Sequence, residues 1–209
     1  MFDQPISHQC SEFVRNILDH ADDTNIDTVV LTGRFPQYYW GTRFNNGEGG
    51  IEQGSPTVMD DERLSKSRWD SEERKERVLT LYEQRIQELS ERFNVVLVAP
   101  IPEAGWNVPE HVAKQLLFSD TYPKDVSTSF DRYKERANPI LKVFQQVADR
   151  ADNVVIAPVH EALCSPETNR CINIDGRKIL YYDDDHLSKA GARMVAPIII
   201  NAVESLTNP

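Results

Sequence analysis

Basic residues are in the minority in this chain: 23 Lys and Arg stand against 33 Asp and Glu, a formal net charge of -10. Binding a phosphate backbone needs clustered Lys and Arg, so a broad nucleic-acid face is excluded. An anionic membrane surface is disfavoured for the same reason. Long hydrophobic runs are missing as well, and no stretch approaches the roughly 18 apolar residues of a membrane span. The opening MFDQPISHQC has neither the basic nor the apolar region of a signal peptide. Cysteine is scarce, and Cys10, Cys164 and Cys171 make an odd count, which is awkward in an oxidising compartment. Cys164 and Cys171 flank a short loop of turn formers. A bridge there, two free thiols and a metal site are the competing readings, although the spacing is too wide for C-x2-C and no second pair exists. A bridge would add about 2.5 kcal/mol in the chain-entropy account and imply a periplasmic or extracellular setting.

What is present is a soluble globular composition. Of the 209 residues, 40% are hydrophobic and 27% charged, enough for a real core without metal or many disulfides. There are no internal repeats, and strand-like and helix-like patterns alternate. Phe13, Val14, Ile17, Leu18 and Ala21 recur at helical spacing from Ser11 to Ala21. The runs DTVVLT (27–32), VVLVAP (95–100) and VVIAPV (154–159) read as buried parallel strands. Residues 36–68 are polar, Gly-rich and aromatic-bearing, and read as a long loop. Asp70 to Glu73 reads as a capping box opening a helix with Val78, Tyr82, Ile86, Leu89 and Phe93 on one face. PIPEAGWNVPEHV reads as a Pro-punctuated loop. A third helix fits Phe130 to Ala148, which Pro139 must kink or split, and a last helix runs from Ser188 to about Ser205. This alternation argues for a parallel sheet with helices on both faces, functional loops lying beyond the carboxyl ends of the strands.

The sharpest local feature is Tyr181-Tyr182-Asp183-Asp184-Asp185-His186-Leu187-Ser188. Asp183 and His186 are three apart, within reach of one turn of backbone. A carboxylate beside an imidazole fixes its tautomer and stabilises the imidazolium, the acid–base part of a Ser-His-Asp triad. A solvated acidic loop and a divalent-metal site are the competing readings. Asp184 and Asp185 are expected to be solvated, and Ser188 to N-cap the last helix. His160, at the end of the third strand, reads as a hydrogen-bonded structural histidine. Glu103 reads as a brace for its loop.

The block D-x-x-H-L-S-x-x-G ahead of a C-terminal helix resembles the last block of SGNH hydrolases. Taken with VVLTGRF and YYWG, FNNGEGGIE, VVLVAPIPEAGWNVP, the paired cysteines and LYYDDDHLSKAGA, the chain resembles the SGNH domain of bacterial family-three membrane acyltransferases. The resemblance implies a flavodoxin-like three-layer α/β/α sandwich with a parallel sheet. It implies catalytic Asp183 and His186, a Cys164–Cys171 disulfide and no metal or cofactor. It further implies O-acylation or ester hydrolysis on cell-envelope glycans such as lipopolysaccharide. The acyl donor would come from a membrane acyltransferase domain and the acceptor would be a glycan, on the periplasmic face of the inner membrane within a longer membrane protein. The family's nucleophile lies in a Gly-Asp-Ser-His block on the first strand, and no Gly-Asp-Ser occurs here. Residues 1–209 therefore read as one SGNH-like domain that is N-terminally incomplete and lacks its first strand. Ser7-His8 is the sole Ser-His pair but follows no strand, and Cys10 falls near a family cysteine. Where the wider superfamily carries an Asn oxyanion donor, this chain has Gly33 and Arg34, so both are candidates for oxyanion or substrate binding. Tyr39, Trp40 and Trp106 are candidates for stacking on a sugar, against the plainer role of packing their loops. A non-catalytic glycan-binding or partner module on the same scaffold is the alternative reading.

Overall fold

The computed structural model describes residues 6–54 and 71–207, and at residues 6–11 and 22 the backbone alone. Six helices are present: α1 (Ile6–Asp23), α2 (Phe35–Trp40), α3 (Glu72–Ser90), α4 (Val108–Ser119), α5 (Phe130–Ala148) and α6 (Lys189–Thr207). The strands are β1 (Thr28–Leu31), β2 (Asn94–Val98), β3 (Ser127–Ser129), β4 (Val154–Ala157), β5 (Cys164–Ser165), β6 (Arg170–Ile172), β7 (Ile174–Asp175) and β8 (Lys178–Ile179).

The three β-branched runs form one parallel sheet in the order β1-β2-β4, with Val29 beside Val95 and Val95 beside Val154. Alternation along β2 divides two cores. Val95 and Leu97 pack with Ile86 of α3 and Ile140 and Phe144 of α5, while Val96 and Val98 pack with Val195 of α6. The fold is thus a mixed α/β sandwich with helices on both faces of a parallel sheet, as the strand–helix alternation requires. β2 is the central strand. β1 is an outer one, and Val30 on it is 44% exposed. The apolar stripe of α1 is also uncovered at Phe13, Val14 and Ile17.

Three local expectations are corrected. Ser71, not Asp70, caps α3, its Oγ accepting from Arg74 N at 3.3 Å, and Asp70 lies outside the described residues. α5 runs unbroken through Pro139. A proline leaves its preceding turn short of a donor, and here the Trp40 indole N–H donates to Arg136 O at 2.9 Å in that turn. FPQYYW and VPEHVAKQLLFS are helices rather than loop, because Pro36 and Pro109 sit in first turns, where a missing N–H costs nothing. Gly41, at φ 67°, closes α2 in a left-handed turn. Arg74 is fully buried and has no carboxylate partner among the described residues. It donates to Tyr38 O and Tyr39 O, satisfying the last carbonyls of α2 and fixing that helix on α3.

The cysteines stand directly opposite each other on the antiparallel pair β5–β6 and are joined as a disulfide. Of the three competing readings of the pair, the bridge is the one realised. No helix among the described residues is long and apolar enough to cross a membrane.

Candidate active site

The acidic block before α6 is a tight loop closed on itself. Tyr182 N donates to His186 O at 2.7 Å and Ser188 N to Leu180 O at 2.8 Å. Ser188 Oγ accepts from Ala190 N and Gly191 N, the helix-capping role foreseen for it. The PIPEAGWNVP stretch pins the loop from outside: Ala104 N donates to Asp184 O, Val108 N to Asp183 O, and the buried Tyr181 hydroxyl to Pro102 O at 2.7 Å. The glycine-rich turn then buttresses that stretch. Buried Asn46 donates to Ala104 O at 2.8 Å while its own oxygen accepts from Glu48 N and Gly50 N. Any side chain at Gly50 would meet Asn46 Nδ2 at 2.4 Å and Trp106 at 2.7 Å, so glycine is required by this close approach.

Within the loop, Asp183 Oδ1 accepts the backbone N–H groups of Asp185 (3.0 Å) and His186 (2.8 Å). This turn aims Oδ2 at His186 Nδ1, 2.9 Å away. A second carboxylate reaches the same nitrogen: Asp185 Oδ1 is 2.8 Å from it. Asp185 is buried, not solvated as its place in a run of three aspartates suggested, and its other oxygen pairs with Arg34 Nε. Arg34 in turn donates to Glu52 at 2.6 Å and lies 3.7 Å from Glu103. Glu52 also holds Arg43, and Glu103 holds Arg136 at 2.8 Å. Sequence inspection missed Asp185 and Glu52 as members of the site, since nothing local marks them.

Burial would raise the Asp183 pKa, but the two backbone donors and His186 overcome it and hold the group at about 2. Burial wins at Asp185, which rises to about 6 against the attraction of Arg34 and His186. His186 is raised above 6.5, first by its hydrogen bond to Asp183 and, against burial, by the charges of Asp185 and Asp183. The imidazolium thus contributes stability that is fully present below about 6.5 and is lost as pH rises through the folded-state midpoint. Base chemistry at His186 follows the opposite course, appearing as pH rises through that midpoint. An NMR titration of the His186 ring is expected to place the midpoint above 6.5, and Asp183→Asn to lower it. A midpoint at or below 6.5 contradicts the arrangement.

His186, Asp185, Glu103, Arg34, Gly33 and Thr32 line a cavity of about 250 Å³. Two of its walls follow the carboxyl ends of β1 and β2, where a parallel sheet places its functional loops. Among the described residues that line it there is no serine or cysteine, and Thr32 brings the only hydroxyl. Ligand atoms of Asp183, Asp185 and His186 lie within 4.8 Å of one another. A cation there would have to displace the Arg34 guanidinium from Asp185 and the imidazole proton from Asp183.

The family model for the SGNH domain (fused to AT3 domains) matches residues 1–201. The chain belongs to this family. No curated protein matches the SGNH domain described here. Among solved structures it is similar to the periplasmic domain of a Salmonella ser. Paratyphi A lipopolysaccharide acetyltransferase, with 19% identity and a TM-score of 0.43. That alignment covers 63% of this chain and 49% of the other, so it spans about half of the solved domain.

In this SGNH domain His186, Arg34 and Gly33 line one cavity, with Asp183 bonded to His186 outside its lining, while the aromatic candidates do not line it. Tyr39 and Trp40 are half-buried on α2, ring centroids 5.2 Å apart and edge to face. Trp106 lies at a different cavity, its face stacked on His111 at 4.3 Å. His160 stacks on Tyr133 at 5.1 Å, and its buried Nδ1 has no hydrogen-bond partner. Glu103 does more than brace its loop, for it joins Arg34 to Arg136. Ser7 and Cys10 fall on α1, where the backbone alone is described.

Proposed function

We propose that this SGNH domain is the acyl-transferring part of an O-acyltransferase, or esterase, of bacterial cell-envelope glycans, working by a Ser-His-Asp mechanism. The observation that carries the reading is the Asp183–His186 pair, whose His186 lines a cavity together with Arg34. Asp183 holds the ring with its proton on Nδ1, which leaves Nε2 as the base. Nε2 takes the proton of a serine hydroxyl as that oxygen attacks the acyl donor, and returns a proton to the leaving group. A glycan hydroxyl then attacks the acyl-serine, again giving its proton to Nε2, and the serine leaves with that proton. Water in place of the glycan yields hydrolysis. Arg34 suits the oxyanion: three carboxylates fix its Nε and Nη2, while Nη1 has no hydrogen-bond or ion-pair partner among the described residues. A preorganised cation of this kind stabilises charge as it develops.

The nucleophile belongs, on this reading, to a Gly-Asp-Ser-His segment outside this chain that would lie alongside the open edge of β1. Membership of a family of SGNH domains fused to AT3 domains supports a membrane acyltransferase as the source of the acyl group and a periplasmic site for the reaction. A glycan-binding module without catalysis is the second reading, favoured by the lack of serine and cysteine among the described lining residues.

Fluorophosphonate labelling with peptide mass mapping separates the two. The expected outcome is a single labelled serine in the longer polypeptide, outside residues 1–209, and no label on this chain although circular dichroism shows it folded. A label at Thr32 or at a serine of this chain overturns the placement of the nucleophile. No label in either form favours the binding module.

A further inference from the structure

We infer that the cavity beside α2 is the acceptor subsite and that it takes an uncharged hexose unit, an inference that rests on the glycan reading above. The cavity holds about 170 Å³ and is lined in part by Trp40, Thr42, Phe44, Asn45, Arg132 and Arg136. It shares no wall with the cavity of His186, and a third space stands between the two. Phe44 and Arg136 also line a narrow crevice, and that crevice shares Pro36, Pro100, Ile101 and Glu103 with the cavity of His186.

Its polar groups are fixed before any ligand arrives. Arg136, with only 9% of its side chain exposed, donates to Glu103 and, at 2.9 Å, to Thr42 O. Arg132 donates to Glu135 at 2.6 Å and to Asn45 O at 2.9 Å, and its buried Nε has no hydrogen-bond partner among the described residues. The indole plane of Trp40 is set by its bond to Arg136 O, and Lys75, which does not line the cavity, lies 5.1 Å over the ring.

Charge counting selects the ligand class. Arg34, Arg43 and Arg136 face Glu52, Glu103 and Asp185, and Arg132 faces Glu135. Among the described residues, the three guanidiniums that line the cavity, Arg43, Arg132 and Arg136, each have a carboxylate partner, Glu135 within the lining and Glu52 and Glu103 behind it. A uronate or phosphate-bearing sugar would find no cationic surplus to replace its lost hydration. Sugar hydroxyls need none: they accept from fixed guanidinium N–H groups and donate to carboxylate and amide oxygens, while apolar C–H faces rest on Trp40 and Phe44.

The test is an array of bacterial envelope glycans probed with this chain, without acyl donor, as wild type, Trp40→Ala and Arg132→Gln. Neutral hexose glycans are expected to be retained, and each variant to weaken retention by about tenfold. Should Trp40→Ala fail to fold by circular dichroism, Arg132→Gln, on the partly exposed surface of α5, carries the test. Preference for acidic glycans, retention unchanged in the variants, or retention of no glycan at all overturns the inference. Serine labelling tests catalysis independently, so failure of the subsite and failure of the catalytic reading give different patterns.

Discussion

Asp183→Asn is expected to lower the proposed acyl transfer by about 10⁴-fold, the size of effect that a misplaced imidazole proton produces. The reason lies in which oxygen does what. Asp183 Oδ1 accepts two backbone N–H groups, so the carbonyl oxygen of an asparagine must take that position. Its amide N–H₂ is then turned toward His186 Nδ1, which accepts instead of donating. The ring proton moves to Nε2, and the base is lost while the loop keeps its shape. Asp185 is not expected to rescue the variant, although its Oδ1 lies 2.8 Å from the same nitrogen. Burial raises its pKa to about 6, and Arg34 holds its other oxygen. Transfer can be followed by mass spectrometry of the acceptor. More than a tenth of wild-type activity in Asp183→Asn would rule out this dyad as the base.

Gly191→Ala is expected to destabilise the chain by about 3 kcal/mol or more, the upper range for forcing extra atoms into a packed site. Gly191 lies in the first turn of α6, and a Cβ there would stand 2.2 Å from Leu180 O and 3.0 Å from Leu187 Cδ2. The carbonyl cannot yield easily, because it accepts Ser188 N where the loop of Asp183 and His186 closes. Relief must come from a shift of α6, which opens the loop carrying Asp183 and His186. A melt followed by circular dichroism should fall by about 6–12 °C for a chain of this length. A fall under about 2 °C would show that the helix accommodates the methyl group. The glycine of D-x-x-H-L-S-x-x-G thus has a steric reason of its own.

How much of this was legible in the sequence depended on range. The strands around Val29, Val96 and Val155 are short β-branched runs between turn formers, and their neighbours in the sheet have the same character. Asp183 and His186 were legible because they meet within one turn of backbone. α2 and α4 were not, since Pro36 and Pro109 read as loop residues until their place in a first turn is known. Asp185 was hidden for a different reason. Three consecutive aspartates look alike, and only the approach of Arg34 from the end of β1 makes one of them a buried partner. Trp40 and Trp106 show the limit of composition: both are aromatic and near glycines, yet they belong to different cavities.

Arg34 has a consequence for how this site tolerates change. Glu52, Glu103 and Asp185 all converge on its guanidinium. Losing that one side chain would leave three sequestered acids with only Arg43, Arg136 and His186 to offset them, and the penalty would have little to do with acyl chemistry. Substitutions at these four positions will therefore not add: removing an acid in an Arg34 variant should restore part of what the first change cost. Any path by which Arg34 is exchanged for another residue has to pass through its acids first.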